Sequence, residues 1–152
     1  MSFYFFMLKV VIDTNLLIDG SEDFYNFGNR IIDLAISGNI EAYANKATLR
    51  ENQFLAEKKI HDEGYLKKLK YFFDAVKPAE SSAHLKVVED SEDDKILESA
   101  VSAGVDYLIT SDHHLLKLGK FRGVRIVRPG AFWQIWEDEG EGWKKWINSF
   151  LK

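Results

Sequence analysis

The run "FFMLKVVI" at residues 5–12 is apolar at nearly every position and stops abruptly on Asp13. A strand with one covered face alternates apolar and polar residues, whereas a strand buried on both faces reads as a near-continuous β-branched run. Strands of that kind belong to parallel sheets, whose crossover connections lay helices over both faces. The rest of the chain follows the same alternation. "FYNFGNRIIDLAIS" sets Phe24, Phe27, Ile31, Leu34 and Ala35 at helical spacing and stops at Gly38. "NIEAYA" predicts a short strand, "TLRENQFLAEKKI" a helix capped by Thr48, and "GYLKKLKYFFDAV" a helix ending before Pro78. Beyond a polar loop, "LKVVE" predicts a strand and "SEDDKILESAVSAG" a helix that Ser91 caps and Gly104 ends. "VDYLIT" is then a strand, "SDHHLLKL" a turn or two of helix, and "GVRIVRPG" a last strand.

The predicted fold class is α/β: a three-layer α/β/α sandwich with a mostly parallel central sheet and right-handed crossovers. A chain of 152 residues suits one domain with a sizeable core. That domain is expected over residues 1–136, with residues 137–152 forming a linker and a terminal amphipathic helix. "EDEGEG" at 137–142 is the linker-like stretch, and "WKKWINSFLK" aligns Trp143, Trp146, Ile147, Phe150 and Leu151 on one face. A face that apolar is expected to cover its own domain or a partner, and the nearby Trp133 and Trp136 suit a homodimer contact.

Composition narrows the chemistry. There is no cysteine, so disulfides and thiolate metal sites are excluded, and a reducing, cytoplasmic location is expected. No apolar run is long enough to cross a membrane, and the N-terminus lacks the basic region of a secretion signal. The four histidines show no zinc-binding spacing. A net charge of −4 does not advertise nucleic acid binding, but an acidic cleft can carry a basic rim.

In a parallel sheet every strand ends at one edge, and that edge carries the ligand site. Asp13 follows the first strand and Asp112 follows "VDYLIT", so both fall there. Crossover helices start at the same edge, which brings Glu51 near the start of its helix and Asp93 and Asp94 into the first turn of theirs. Taken singly, each acid is explained as a cap or as a response to the helix dipole. "SEDD" also fits a cap in which Asp94 reaches back to Ser91, which leaves Asp93 without a capping task. Caps have no reason to agree on one edge, and the agreement favours a site. Carboxylates that converge repel one another unless a cation lies among them, and oxygen donors without Cys or His select Mg²⁺ or Mn²⁺. Helix N-termini beside such a cation suit a phosphate, and the pair reads as chemistry on a phosphoester.

"VVIDTNLLI", "ATLRE", "SEDDKILESA" and "DYLITSDHHLL" together resemble a PIN domain, over residues 8 to about 127. That is the metal-dependent nuclease fold which includes the toxin ribonucleases of bacterial and archaeal toxin–antitoxin pairs. The resemblance implies a catalytic and metal-holding set of Asp13, Glu51, Asp93 and Asp112. It implies one or two Mg²⁺ or Mn²⁺ ions, RNA as substrate and an antitoxin protein as partner. Its third motif registers Ile96 and Ala100 against Asp93 rather than Asp94, although "EDD" leaves that register ambiguous, and the Trp-rich tail lies outside the shared motifs. Thr14, Asn15, Asp94, Thr110 and Ser111 are expected to support the acids, while Lys46 and Arg50 could meet RNA phosphates or form a solvated helix face. His113 and His114 read as an exposed helix start.

Two other classes compete. A PIN-like scaffold that binds RNA or protein without cutting would carry the same acids. A phosphorylatable receiver-type domain shares the doubly wound sheet, but needs paired acids after its first strand and a Lys after its fifth; "VVIDTN" has one acid and "VRIVRPG" is followed by no such Lys.

Overall fold

Val10 and Val11 are neighbours in the chain but bury on opposite sides of the sheet, and that division organises the molecule. The computed structural model describes residues 7–19, 26–79 and 91–151. The chain runs β1 (Leu8–Ile12), α1 (Thr14–Asp19), α2 (Phe27–Ile36), β2 (Ile40–Ala44), α3 (Lys46–Lys59), α4 (Glu63–Ala75) and β3 (Lys77–Pro78). It continues through α5 (Ser91–Ala103), β4 (Tyr107–Ile109), α6 (His113–Leu116), β5 (Lys120–Phe121), β6 (Val124–Val127) and α7 (Pro129–Leu151). The strands form one sheet in the order β3-β2-β1-β4-β6-β5, parallel throughout except for the β5–β6 hairpin. The predicted α/β sandwich with a mostly parallel sheet is the observed architecture.

Two apolar layers sandwich that sheet. Val10, Ile40, Ala42, Tyr107 and Ile109 pack with α1, α2, α3, α4 and α7 on one face. Val11, Leu108, Val124 and Ile126 pack with Leu97 and Ala100 of α5 and Leu115 of α6 on the other. Each strand alternates its residues between two covered faces, which is why β1 reads as apolar throughout. Gly38 and Gly104 end α2 and α5 with φ of +78° and +62°, a region that glycine enters without steric cost. At the outer edge Lys77 donates to Glu41 at 3.0 Å, and this bond holds the Glu41 carboxyl below its usual range.

Three expectations need correction or restriction. Thr48 does not cap α3; the helix begins at Lys46, and Asn45 accepts the Ala47 N–H at 2.8 Å. The 137–142 stretch, read as a linker, lies within α7, which runs without interruption from Pro129 to Leu151. The "LKVVE" strand lies outside the described residues, as do the side chains of Ser91, Trp143 and Trp146. Trp133 and Trp136 are partly buried against the chain's own core. Among the described residues no helix is long and apolar enough to cross a membrane.

Candidate active site

The register of the two central strands builds the site. Ile12 of β1 pairs with Ile109 of β4, so the next residues, Asp13 and Thr110, leave the sheet side by side. The Asp13 N–H donates to the Ile109 carbonyl at 3.0 Å, and the Thr110 N–H donates to the Val127 carbonyl of β6 at 3.0 Å. Asp13 is 3% exposed and Thr110 wholly buried. The Thr110 hydroxyl gives its one proton to Asp13 Oδ2 at 2.7 Å and accepts the Asp112 N–H at 3.0 Å. A single hydroxyl thus ties together two acids that are 99 positions apart, and it requires Asp13 Oδ2 to be an acceptor.

Each of these acids also caps a helix. Asp13 Oδ1 accepts the Asn15 N–H at 3.2 Å, and Asp112 Oδ1 accepts the His114 N–H at 2.8 Å. Capping therefore occupies only part of each carboxylate. An ionised carboxylate offers about four lone-pair sites. Asp13 uses two of them, one on each oxygen, and Asp112 Oδ2 accepts no hydrogen bond among the described residues. Both acids keep capacity for a further partner.

The third position is held by α5. Asp93 and Asp94 lie in its first turn and are each 7% exposed, so burial does not choose between them. Glu51 sits differently. With α3 starting at Lys46, it falls in the second turn and is exposed, which removes the helix-dipole explanation for a first-turn acid. Its neighbour Asn52 turns inward, 8% exposed, and accepts the Thr14 hydroxyl at 2.7 Å. This bond fastens α3 beside Glu51 to α1 beside Asp13. Asn52 escaped the sequence reading because an amide after an acid on a helix carries no pattern of its own. Asn15 and Ser111 are exposed, as are Lys46, Arg50, His113 and His114.

The donor set is oxygen-only and its aspartates are buried or partly buried, which suits a hard divalent cation. Among the described residues, however, no group of three or more His, Asp and Glu side chains stands close enough together to hold a metal ion. Hydrogen bonds through Thr110 join Asp13 to Asp112. A larger cavity, about 980 Å³ between α3 and α4, is lined by Gln53, Glu57, Leu66, Lys67 and Tyr71 among others and contains none of these acids.

A family model of the PIN domain matches residues 9–114, a span that includes Asp13, Glu51, Asp93 and Asp112. The chain belongs to the PIN domain family. The structure is also similar to a chain in the crystal structure of VapBC2 from Rickettsia felis bound to a DNA fragment from their promoter. The TM-score is 0.54 at 15% identity, over 80% of this chain and 98% of that one. At that identity the likeness is one of fold. No curated protein matches the chain.

Proposed function

We propose that this PIN domain is a Mg²⁺- or Mn²⁺-dependent endoribonuclease that hydrolyses RNA phosphodiester bonds, and that it is the toxin of a pair with an antitoxin protein. The observation that carries the reading is the buried Asp13 carboxylate, joined through Thr110 to Asp112 at the edge where the parallel strands end. The solved relative is itself a VapBC2 assembly, which supports an antitoxin partner.

In this reading Asp13 and Asp112, with Asp93 and Glu51, hold the cation. When bound, the cation neutralises charge on the scissile phosphate and makes water a stronger nucleophile at neutral pH. The chain's own residues do the positioning. Thr110 fixes the orientation of Asp13, and Thr14 with Asn52 keeps the second turn of α3 beside it. Asn15 and Ser111 stand exposed next to the acids, and Asp94 supports the start of α5. Lys46 and Arg50, exposed and four positions apart on α3, meet RNA phosphates.

The second reading, a PIN-like scaffold that binds RNA or protein without cutting, is favoured by one observation: no three acids are gathered among the described residues. An unstructured RNA incubated with Mn²⁺ separates the two. The enzyme reading expects fragments with wild type and none with Asp13→Asn; RNA bound intact by both proteins supports the scaffold.

A further inference from the structure

We propose that a cavity beside the acids seats one unpaired nucleotide of the RNA, its base on Phe27 and its phosphate on Arg128. This rests on the ribonuclease reading and specifies the form of RNA which that reading leaves open. The cavity holds about 330 Å³, near the lower end of the roughly 300–1,000 Å³ typical of ligand sites. Ser111 forms part of its wall, between Thr110, which binds Asp13, and Asp112. Leu16 forms another part, and its N–H donates to the Asp13 carbonyl at 3.0 Å. The cavity and the acids therefore share their framework.

Its lining combines two chemistries. Phe27 is 42% exposed, whereas Phe72, Phe73 and Phe132 are buried. A β-carbon placed on Gly130 would come within 3.4 Å of two Phe27 ring carbons, so the start of α7 supports the ring edge. The Arg30 guanidinium lies over one face of the ring, 5.4 Å from its centroid, so a base would stack on the other. Arg128 is exposed and makes no ion pair among the described residues. Asn26, the cap of α2, and Pro129, the first residue of α7, also line the cavity, so two helix N-termini add positive potential for a phosphate. A flat apolar ring beside a free cation fits a base with its phosphate. A duplex keeps its bases stacked inside and cannot offer one, whereas a single strand can.

The test is fluorescence anisotropy with full-length Asp13→Asn protein, without divalent metal, on a labelled unstructured RNA octamer and on its duplex. The single strand should bind more tightly than the duplex. Adding Phe27→Leu, which keeps an apolar side chain between α2 and α7, should weaken single-strand binding roughly tenfold, and Phe27→Trp should restore it. Adding Arg128→Gln should flatten the dependence of log affinity on log salt by about 0.7. Equal affinity with and without Phe27→Leu, duplex binding as tight as single-strand binding, or no binding at all overturns the subsite. If wild type cuts RNA with Mn²⁺ while Phe27→Leu changes nothing, the subsite falls and the nuclease stands. Phe27-dependent binding by a wild type that cuts nothing has the opposite meaning.

Discussion

At the scale of single residues, Thr110 is the hinge between structure and chemistry. Its hydroxyl is wholly buried, donates to one acid and accepts from the backbone of another. Thr110→Val keeps the shape and removes both bonds, leaving a buried carboxylate and an amide short of partners. It should lower stability by about 1–3 kcal/mol, read as a lower urea midpoint at unchanged slope. A loss under about 0.5 kcal/mol, the range of an ordinary surface substitution, would mean the bridge is incidental. Asp93 and Asp94 should separate by role. Asp93→Asn should abolish RNA cleavage with little effect on melting, while Asp94→Ala should cost about 1 kcal/mol and leave cleavage largely intact. The reverse outcome shifts the register of the site by one residue. Residues that act after a strand were legible in the sequence, because strand ends fix their position. Asn52 was not, because only the true start of α3 decides which side of the helix faces inward.

At the scale of elements, the error over α3 has a clear origin. "TLRE" has the spacing of a capping box, with a hydroxyl three positions before a glutamate, and it sits inside a helix already begun. Asn45 comes directly after the last residue of β2 and accepts one free amide, that of Ala47, instead. Asn45→Ala should therefore cost about 1 kcal/mol of stability and Thr48→Ala only a few tenths, measured by thermal or urea unfolding. Equal costs would return the helix start to Thr48. The long strands and helices were readable because their periodicity extends over many residues. The two-residue strands β3 and β5 were not, since two residues establish no period. The β5–β6 turn hid for a related reason: Arg122 takes φ of +47° ahead of Gly123 at +85°, and an arginine does not announce such a backbone. α7 shows the opposite failure. Two glycines and four acids between 137 and 142 resemble a linker, but helix propensity penalises glycine by only about 1 kcal/mol, and the helix continues through them.

At the scale of the whole molecule, the sheet determines what the distant acids can do together. Strand register sets Asp13 beside Thr110, whose hydroxyl joins it to Asp112, which is why their pairing could be read from where two strands end. Phe150 and Leu151 at the end of α7 are 69% and 79% exposed, whereas Trp133 and Trp136, expected at a homodimer contact, pack against the chain's own core. We therefore propose that any homodimer contact falls to the end of α7. Truncation after Glu141 should then convert a dimeric parent to a stable monomer by light scattering; an unchanged mass with a lower melting temperature would place the tail on its own chain instead. We propose that acids from separate elements form one divalent-metal site. A ligand that binds only the folded chain adds about 2.7 kcal/mol of stability at a hundredfold excess over its Kd. The most direct measurement is the melting temperature of wild type, Asp13→Asn and Asp112→Asn with and without Mn²⁺. A clear rise is expected for wild type and a much smaller one for both variants. Without metal Asp112→Asn, which keeps the acceptor for the His114 N–H, should be no less stable than wild type, whereas Asp13→Asn loses one of two buried acceptors and should be less stable. Equal rises in all three proteins would contradict the shared site.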